Sequence, residues 1–304
     1  MRVAGPVAGI CVIRDAFDIV PFLCGHYLRL GVERVHFIDD GSSDGTFEYL
    51  NRLSLITNRI SVQRVFNERN RQPELYTEGC NALIESGYSI IVPFDSDEFW
   101  NVEASELERR FSADPETVFT GQWINFVQSR ECWVPQTFGL MRMAYRAPAL
   151  FVDSGEAMAS VVGGSCSFVC ISVRKIGIKT TDKVSLLRGQ HALAEGPAAH
   201  TNSDYEIFHL PFRYRSEISK RALNYETRNM RASSNESWQG LFHRRKVLEG
   251  QTDALWAANS ADKRGFLNVN GKQIALTRDY RLRRCLASAA MYLLRLTKGR
   301  WRSV

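Results

Sequence analysis

Acidic residues gather at three places in the first hundred positions: Asp15, then Asp39 with Asp40, then Asp95, Asp97 and Glu98. Carboxylates on one rim repel each other unless a cation, a proton or a hydrogen-bond donor comes between them. In an extended segment, the D-S-D spacing puts the Asp95 and Asp97 side chains on the same side. Two hard oxygen ligands, with positions left open for phosphate and water, suit Mg²⁺ or Mn²⁺. Such an ion can hold a diphosphate and stabilise charge building on a leaving group. A plainer reading stands beside it, in which Asp and Ser at a strand end only cap the next helix.

The elements that must position these residues alternate strand and helix. Residues 7–13 (VAGICVI) form an apolar run suited to a strand buried on both faces. Asp18 then precedes Ile19, Phe22, Leu23, Tyr27 and Leu30 at helical spacing, with Gly31 as a stop. Asp18 is expected to be the N-cap. Residues 34–39 read as a second strand, ending in the turn D-D-G-S-S-D-G-T, after which Thr46 is expected to cap a helix carrying Phe47, Leu50, Leu53 and Ile56. Residues 60–65 are a third strand, Gln72-Pro73 opens a third helix, and residues 89–94 (SIIVPF) are a fourth strand. This order predicts an α/β fold with a mostly parallel, Rossmann-like sheet flanked by helices. Ligands of such sheets bind beyond the carboxyl ends of the strands, and the acidic clusters fall at those ends.

The chain has 304 residues, 44% of them hydrophobic and 24% charged, an ordinary globular balance. Its net charge of +6 hides a split: residues 1–211 carry 19 Lys/Arg against 26 Asp/Glu, and residues 212–304 carry 20 against 7. No apolar run approaches the roughly 18–20 residues that a spanning helix needs. The seven cysteines are scattered and include no CxxC pair, so they fit neither a zinc site nor a disulfide framework. A cytoplasmic location is the expectation. The apolar residues after Arg2 run directly into the first motif and are not read as a signal peptide.

Residues 12–46 (VIRDAFDIVPFLCGHYLRLGVERVHFIDDGSSDGT) and 89–100 (SIIVPFDSDEFW) together resemble the family 2-like glycosyltransferases of the GT-A fold. The likeness is to the branch with a D-x-D-E-F motif and a later His followed by Arg-Ser. It extends more loosely through 118–129, 164–177, 189–192 and 209–222 and covers about residues 7–222. The resemblance implies an inverting enzyme that uses a nucleotide-sugar donor, a divalent metal and a glycan or lipid-linked acceptor, as in surface polysaccharide or glycolipid assembly. It implies that Asp39 hydrogen-bonds the nucleotide base, that Asp95 lies near ribose and diphosphate, and that Asp97 holds metal, with His209 completing the metal shell. Arg14 and Asp15 occupy a nucleotide-contacting loop where the family reads basic-Asn-Glu; here Asp15 replaces the Asn and Ala16 the acid. The catalytic base is expected beyond residue 120. Asp153, Glu156, Asp182 and Glu195 are all open, and "VDSGEA" favours Asp153 and Glu156. Trp123 and His36 are expected to be structural.

The expected organisation is a catalytic domain over 1–222 and a helical basic C-terminal region over 223–304. From Tyr280 onward there are seven Lys/Arg and no acid, while Leu282, Cys285, Leu286, Ala289, Leu293 and Leu296 fall on one helical stripe. That stripe can lie on an anionic membrane surface or pack on the catalytic domain. On the first reading, a chain ending near Tyr280 stays folded and loses liposome binding. Nucleic acid is not the expected partner. Two other functions are weighed: a nucleotidyltransferase making a nucleotide sugar, which lacks the Gly-rich basic phosphate loop it would want after the first strand, and a non-catalytic protein acting through its basic tail.

Overall fold

A computed structural model of the chain describes residues 5–66, 71–112, 116–135, 138–150, 159–220, 222 and 238–298. Its first part alternates β1 (Val7–Ile13), α1 (Val20–Arg29), β2 (Arg34–Asp40), α2 (Thr46–Ile56), β3 (Ile60–Val65), α3 (Gln72–Glu85) and β4 (Ile90–Pro93). The four strands stand in the order β3-β2-β1-β4 and all pair in parallel. This is the flanked parallel sheet that the alternation predicts. Burial on both faces explains why β1 and β4 are apolar runs rather than alternating ones.

The sheet then changes direction twice. The elements that follow are β5 (Glu98–Trp100), α4 (Ala104–Arg110), β6 (Thr117–Val127), β7 (Tyr145–Arg146), β8 (Arg174–Lys179), β9 (Ser185–Leu186), β10 (Leu193–Glu195) and β11 (His200–His209). β8 runs antiparallel to β4, and β6 antiparallel to β8, so β6 points the same way as β4. β11 lies parallel to β6, and β5 runs antiparallel on β11. The carboxyl ends of β1, β2, β4, β6 and β11 therefore face one rim.

Two local expectations give way to tertiary partners. Asp18 does not cap α1: the cap position is Ile19, with no side-chain cap bond, and the Asp18 carboxylate is taken by Arg213. Thr46 is the first helical residue of α2 rather than its cap. Gly45 caps α2 with φ at 98°, in the left-handed region that suits glycine.

The C-terminal region is not helical throughout. It contains α5 (Trp238–Leu248), α6 (Thr252–Asn259), a hairpin of β12 (Phe266–Val269) and β13 (Lys272–Ala275), then β14 (Thr277–Arg278) and α7 (Arg281–Thr297). β14 adds to the sheet edge against β7. α7 packs on α1, and of the stripe seen in the sequence Leu282, Cys285, Leu286, Ala289 and Leu293 are buried, while Leu296 is half-buried against the main core. The helices meet so closely that a Cβ on Gly25 would run into the Ala289 carbonyl. Beside this contact His26 Nε2 donates to the Trp100 carbonyl at 2.8 Å, and Cys285 Sγ lies 3.1 Å from His26 Nδ1. The apolar stripe is thus used inside the molecule. The expected boundary after 222 falls beside residues 223–237, outside the described part.

Candidate active site

The rim holds a cleft of about 1040 Å³, lined among others by Arg14, Asp15, Asp97, Trp123, His209 and Arg213. His209 is the last residue of β11, paired in register with Asn125 of β6 on one side and Glu98 of β5 on the other. Asn125 Nδ2 donates to the carbonyl of Val169 at 2.9 Å and also to that of Ile171, which turns its Oδ1 toward His209 Nδ1, 2.6 Å away. Only an Nδ1–H can satisfy that oxygen, so in the neutral ring the lone pair sits on Nε2. That nitrogen faces Asp97 Oδ1 at 3.8 Å. The indole of Trp123 stacks on the imidazole at 3.7 Å and holds its plane. Trp123 thus packs partly against the main core, as expected, and also forms a wall of the cleft.

Asp97 and His209 form a carboxylate–imidazole pair whose donor atoms are spaced as two ligands of one ion can be. The imidazole also has the second hydrogen bond that metal-ligating histidines make. Residues 95–98 form a turn, closed by Glu98 N–H to the Asp95 carbonyl at 3.0 Å, and not an extended segment. The two motif carboxylates consequently point to different partners. Asp95 Oδ2 accepts Lys175 Nζ at 2.6 Å, and its Oδ1 accepts Gln72 Nε2 and the Tyr76 hydroxyl, both at 3.1 Å. Among the described residues, no group of three or more His, Cys, Asp or Glu comes together in a way that could hold a metal. A cation placed here would have two protein ligands, Asp97 and His209, and would need the rest from substrate and water.

Lys175 is a buried cation behind the site. It also reaches Glu98 Oε1 at 3.0 Å and Gln190 Oε1 at 2.9 Å. Burial pulls its pKa down, but Asp95 and Glu98 outweigh burial and leave it above the usual lysine value. Burial likewise pushes Glu98 above the usual carboxylate range, against the pull of Lys175. Glu98 Oε1 accepts Trp123 Nε1–H at 2.8 Å, and Oε2 accepts the Asp95 N–H at 2.9 Å. The acid at the fourth strand end thus fixes both the stacking indole and the turn that carries Asp97.

The first and second strand ends are stitched into one surface. Asp15, at φ 46°, accepts Ser43 N–H at 2.7 Å and donates its own N–H to Ser42 Oγ at 3.0 Å. Asp44 accepts the Phe17 N–H at 2.9 Å and the Thr46 hydroxyl at 2.6 Å, so the glycine-rich turn also shapes the wall of the cleft. Arg14 lies beside Asp15, with its Nε 3.6 Å from Asp15 Oδ2. Asp39 is buried behind this surface, not in the lining of the cleft. Its Oδ2 accepts Ser42 N–H at 3.1 Å, and its Oδ1 is a buried acceptor with no partner among the described residues. An N–H donor is the chemistry that oxygen would take.

A third cluster was not foreseen from the sequence. Arg213, buried at the cleft, donates to both oxygens of Asp18, at 2.7 and 3.2 Å, and to Glu217 Oε1 at 2.5 Å. The Arg-Ser of the resemblance is Arg215-Ser216, so no signal in the sequence pointed to Arg213. Glu217 lines the cleft on the side of Phe138, Phe168, Phe212 and Tyr214. Of the four expected base candidates, Asp153 and Glu156 lie outside the described residues. Asp182 and Glu195 are exposed and do not line the cleft.

No protein-family model matches the chain, and no curated protein matches it. Solved structures that resemble it include S. aureus TarS 1–349, at 13% identity and TM-score 0.34, covering 84% of this chain and 71% of that one. GalNAc-T7 with UDP, GalNAc and Mn²⁺ gives 11% identity and TM-score 0.39, covering 84% of this chain and 51% of that one. The mannosyltransferase PcManGT from Pyrobaculum calidifontis, in complex with GDP-Man and Mn²⁺, gives 14% identity and TM-score 0.30, covering 97% and 76%. Likeness at this level leaves function to the chemistry of the cleft.

Proposed function

We propose that the protein is a metal-dependent, inverting glycosyltransferase that moves a sugar from a nucleotide-sugar donor to an acceptor hydroxyl. The observation that carries this reading is the Asp97–His209 pair, oriented by Asn125 and Trp123 at the carboxyl ends of parallel strands. Carboxylate with imidazole suits Mn²⁺ as well as Mg²⁺, and a bound ion would neutralise the departing diphosphate. Asp95, fixed by Lys175, belongs to the ribose and diphosphate side of the donor. Arg14 and Asp15 frame the nucleotide, and Asp39, buried behind them, holds the turn that carries this surface through the Ser42 N–H. The acceptor hydroxyl attacks the anomeric carbon as the bond to the diphosphate oxygen breaks, and a carboxylate takes its proton. Glu217 joins Asp153 and Glu156 as a candidate for that carboxylate. Residues 1–222 are the catalytic unit in this reading. The acceptor is a glycan or a lipid-linked glycan of surface polysaccharide or glycolipid assembly, met at the cytoplasmic face of a membrane.

The test is nucleoside diphosphate release across a panel of nucleotide sugars, with Mn²⁺, Mg²⁺ or chelator. The expected result is turnover of one donor with metal, lost on chelation and reduced at least a hundredfold or so in Asp97→Ala, the scale of losing one transition-state charge stabiliser. Equal turnover by wild type and Asp97→Ala overturns the metal assignment. Release of pyrophosphate from a nucleoside triphosphate overturns the transfer reading itself.

A further inference from the structure

With its apolar stripe buried against α1, α7 presents a different face outward. Arg284, Ser288, Met291 and Arg295 are exposed and repeat at the spacing of one helical stripe, with Leu294 exposed beside them and exposed Lys298 at the C-cap. Met291 and Leu294 keep 52% and 64% of their surface in solvent, on a helix whose other large apolar residues are buried or half-buried. Among the described residues, none of Arg284, Arg295 and Lys298 has an acidic partner. From Tyr280 to Val304 the sequence contains no acid at all. The two acids near the start of α7, Asp279 and Glu206, are both taken by Arg281.

We propose that this outward stripe of α7 docks the protein on an anionic lipid surface, with Met291 and Leu294 entering the headgroup layer and Arg284, Arg295 and Lys298 meeting lipid phosphates. Unpaired cations in line call for an extended anionic partner, because a single soluble anion cannot reach all three along a helix of 17 residues. Exposed methionine and leucine within the same stripe distinguish a lipid surface from a nucleic acid backbone, which offers phosphate but no apolar layer. The inference differs from the sequence expectation in the face that binds: the stripe that looked amphipathic in the sequence holds the helix down, and the opposite side reaches outward. It also stands apart from the sugar-transfer reading, since no residue of the cleft takes part.

The full-length protein is tested by co-sedimentation with phosphatidylcholine vesicles, with and without phosphatidylglycerol, at low and high salt. Binding is expected only to the anionic vesicles and is expected to weaken with salt. Combined Arg284→Glu, Arg295→Glu and Lys298→Glu substitution should reduce binding on the order of a hundredfold, each basic residue near the surface counting for about a factor of five. Met291→Asp with Leu294→Asp should also weaken it and leave it less able to survive salt. Because all five side chains are exposed, circular dichroism and the melting midpoint should stay near wild type; Arg284→Gln, Arg295→Gln and Lys298→Gln provide a gentler set if the reversals disturb folding. The proposal is overturned by wild type that ignores anionic vesicles, by equal binding to neutral ones, by charge variants that bind like wild type, or by capture of a nucleic acid oligonucleotide in place of vesicles. Donor turnover in solution, measured on the same variants, should be unchanged, so failure here is separable from failure of the enzymatic reading.

Discussion

Asn125 shows how a neutral side chain can decide what a histidine does. Its amide is locked by two backbone carbonyls, so it presents only an acceptor to His209, and the imidazole has no choice of tautomer. Asn125→Leu removes that acceptor without adding charge. The expected outcome is a Mn²⁺ requirement raised by about 10–100-fold, the usual cost of losing a ligand's outer partner. Nucleotide binding without metal should change little. A metal titration of donor turnover checks it, and an unchanged midpoint would remove Asn125 from the account. Residues such as Asn125, Lys175 and Arg213 were illegible in the sequence for one physical reason: their partners are remote. Lys175 meets Asp95 across 80 positions, and Arg213 meets Asp18 across 195. The D-S-D run, by contrast, was visible because its spacing is local. The geometry inferred from it failed when a turn replaced the extended segment.

Among the elements, the parallel β1–β4 core was readable because apolar runs and helical periodicity are local signals. Helix caps were less so, since Asp18 found a stronger partner than the helix end it precedes. The α1–α7 contact has a consequence for pH. Burial lowers the pKa of His26 from 6.5 to about 3, so the folded protein keeps the ring neutral while the unfolded chain protonates it below about 6.5. The unfolded state then binds more protons, and stability must fall as pH drops from 6.5 toward 3. The contribution is complete above 6.5. Denaturant midpoints measured across that window should decline in wild type and decline less steeply in His26→Gln. Equal slopes in the two proteins would show that another group sets the pH dependence.

At the scale of the molecule, the acidic body and basic tail are one structure. The burial of Leu282, Leu286 and Leu293 argues against the sequence expectation that a chain ending near Tyr280 stays folded. Each fully buried leucine is worth roughly 1.5–3 kcal/mol, and a domain's whole margin is about 5–15 kcal/mol. Ending the chain at Tyr280 should therefore lower the melting midpoint sharply or abolish cooperative unfolding, as calorimetry would show. An unshifted midpoint would mean that α1 is content with its face bare. The basic tail is then a structural part with a charged outer side, and the whole-chain charge says little about either function.

The register of β11 sets a limit on how the protein can change. His209 stands in register with Asn125 and with Glu98 at once, so its position is defined by two neighbouring strands rather than by a loop. Adding or deleting one residue within β11 would turn the histidine to the opposite face of the sheet, taking it from Asp97 in a single step. Length variation in descendants of this chain should therefore collect in the connections around the rim and stay out of the three strands that share His209. In an engineering setting, the same rule separates the places where new substrate contacts can be grafted from those where one inserted codon ends activity.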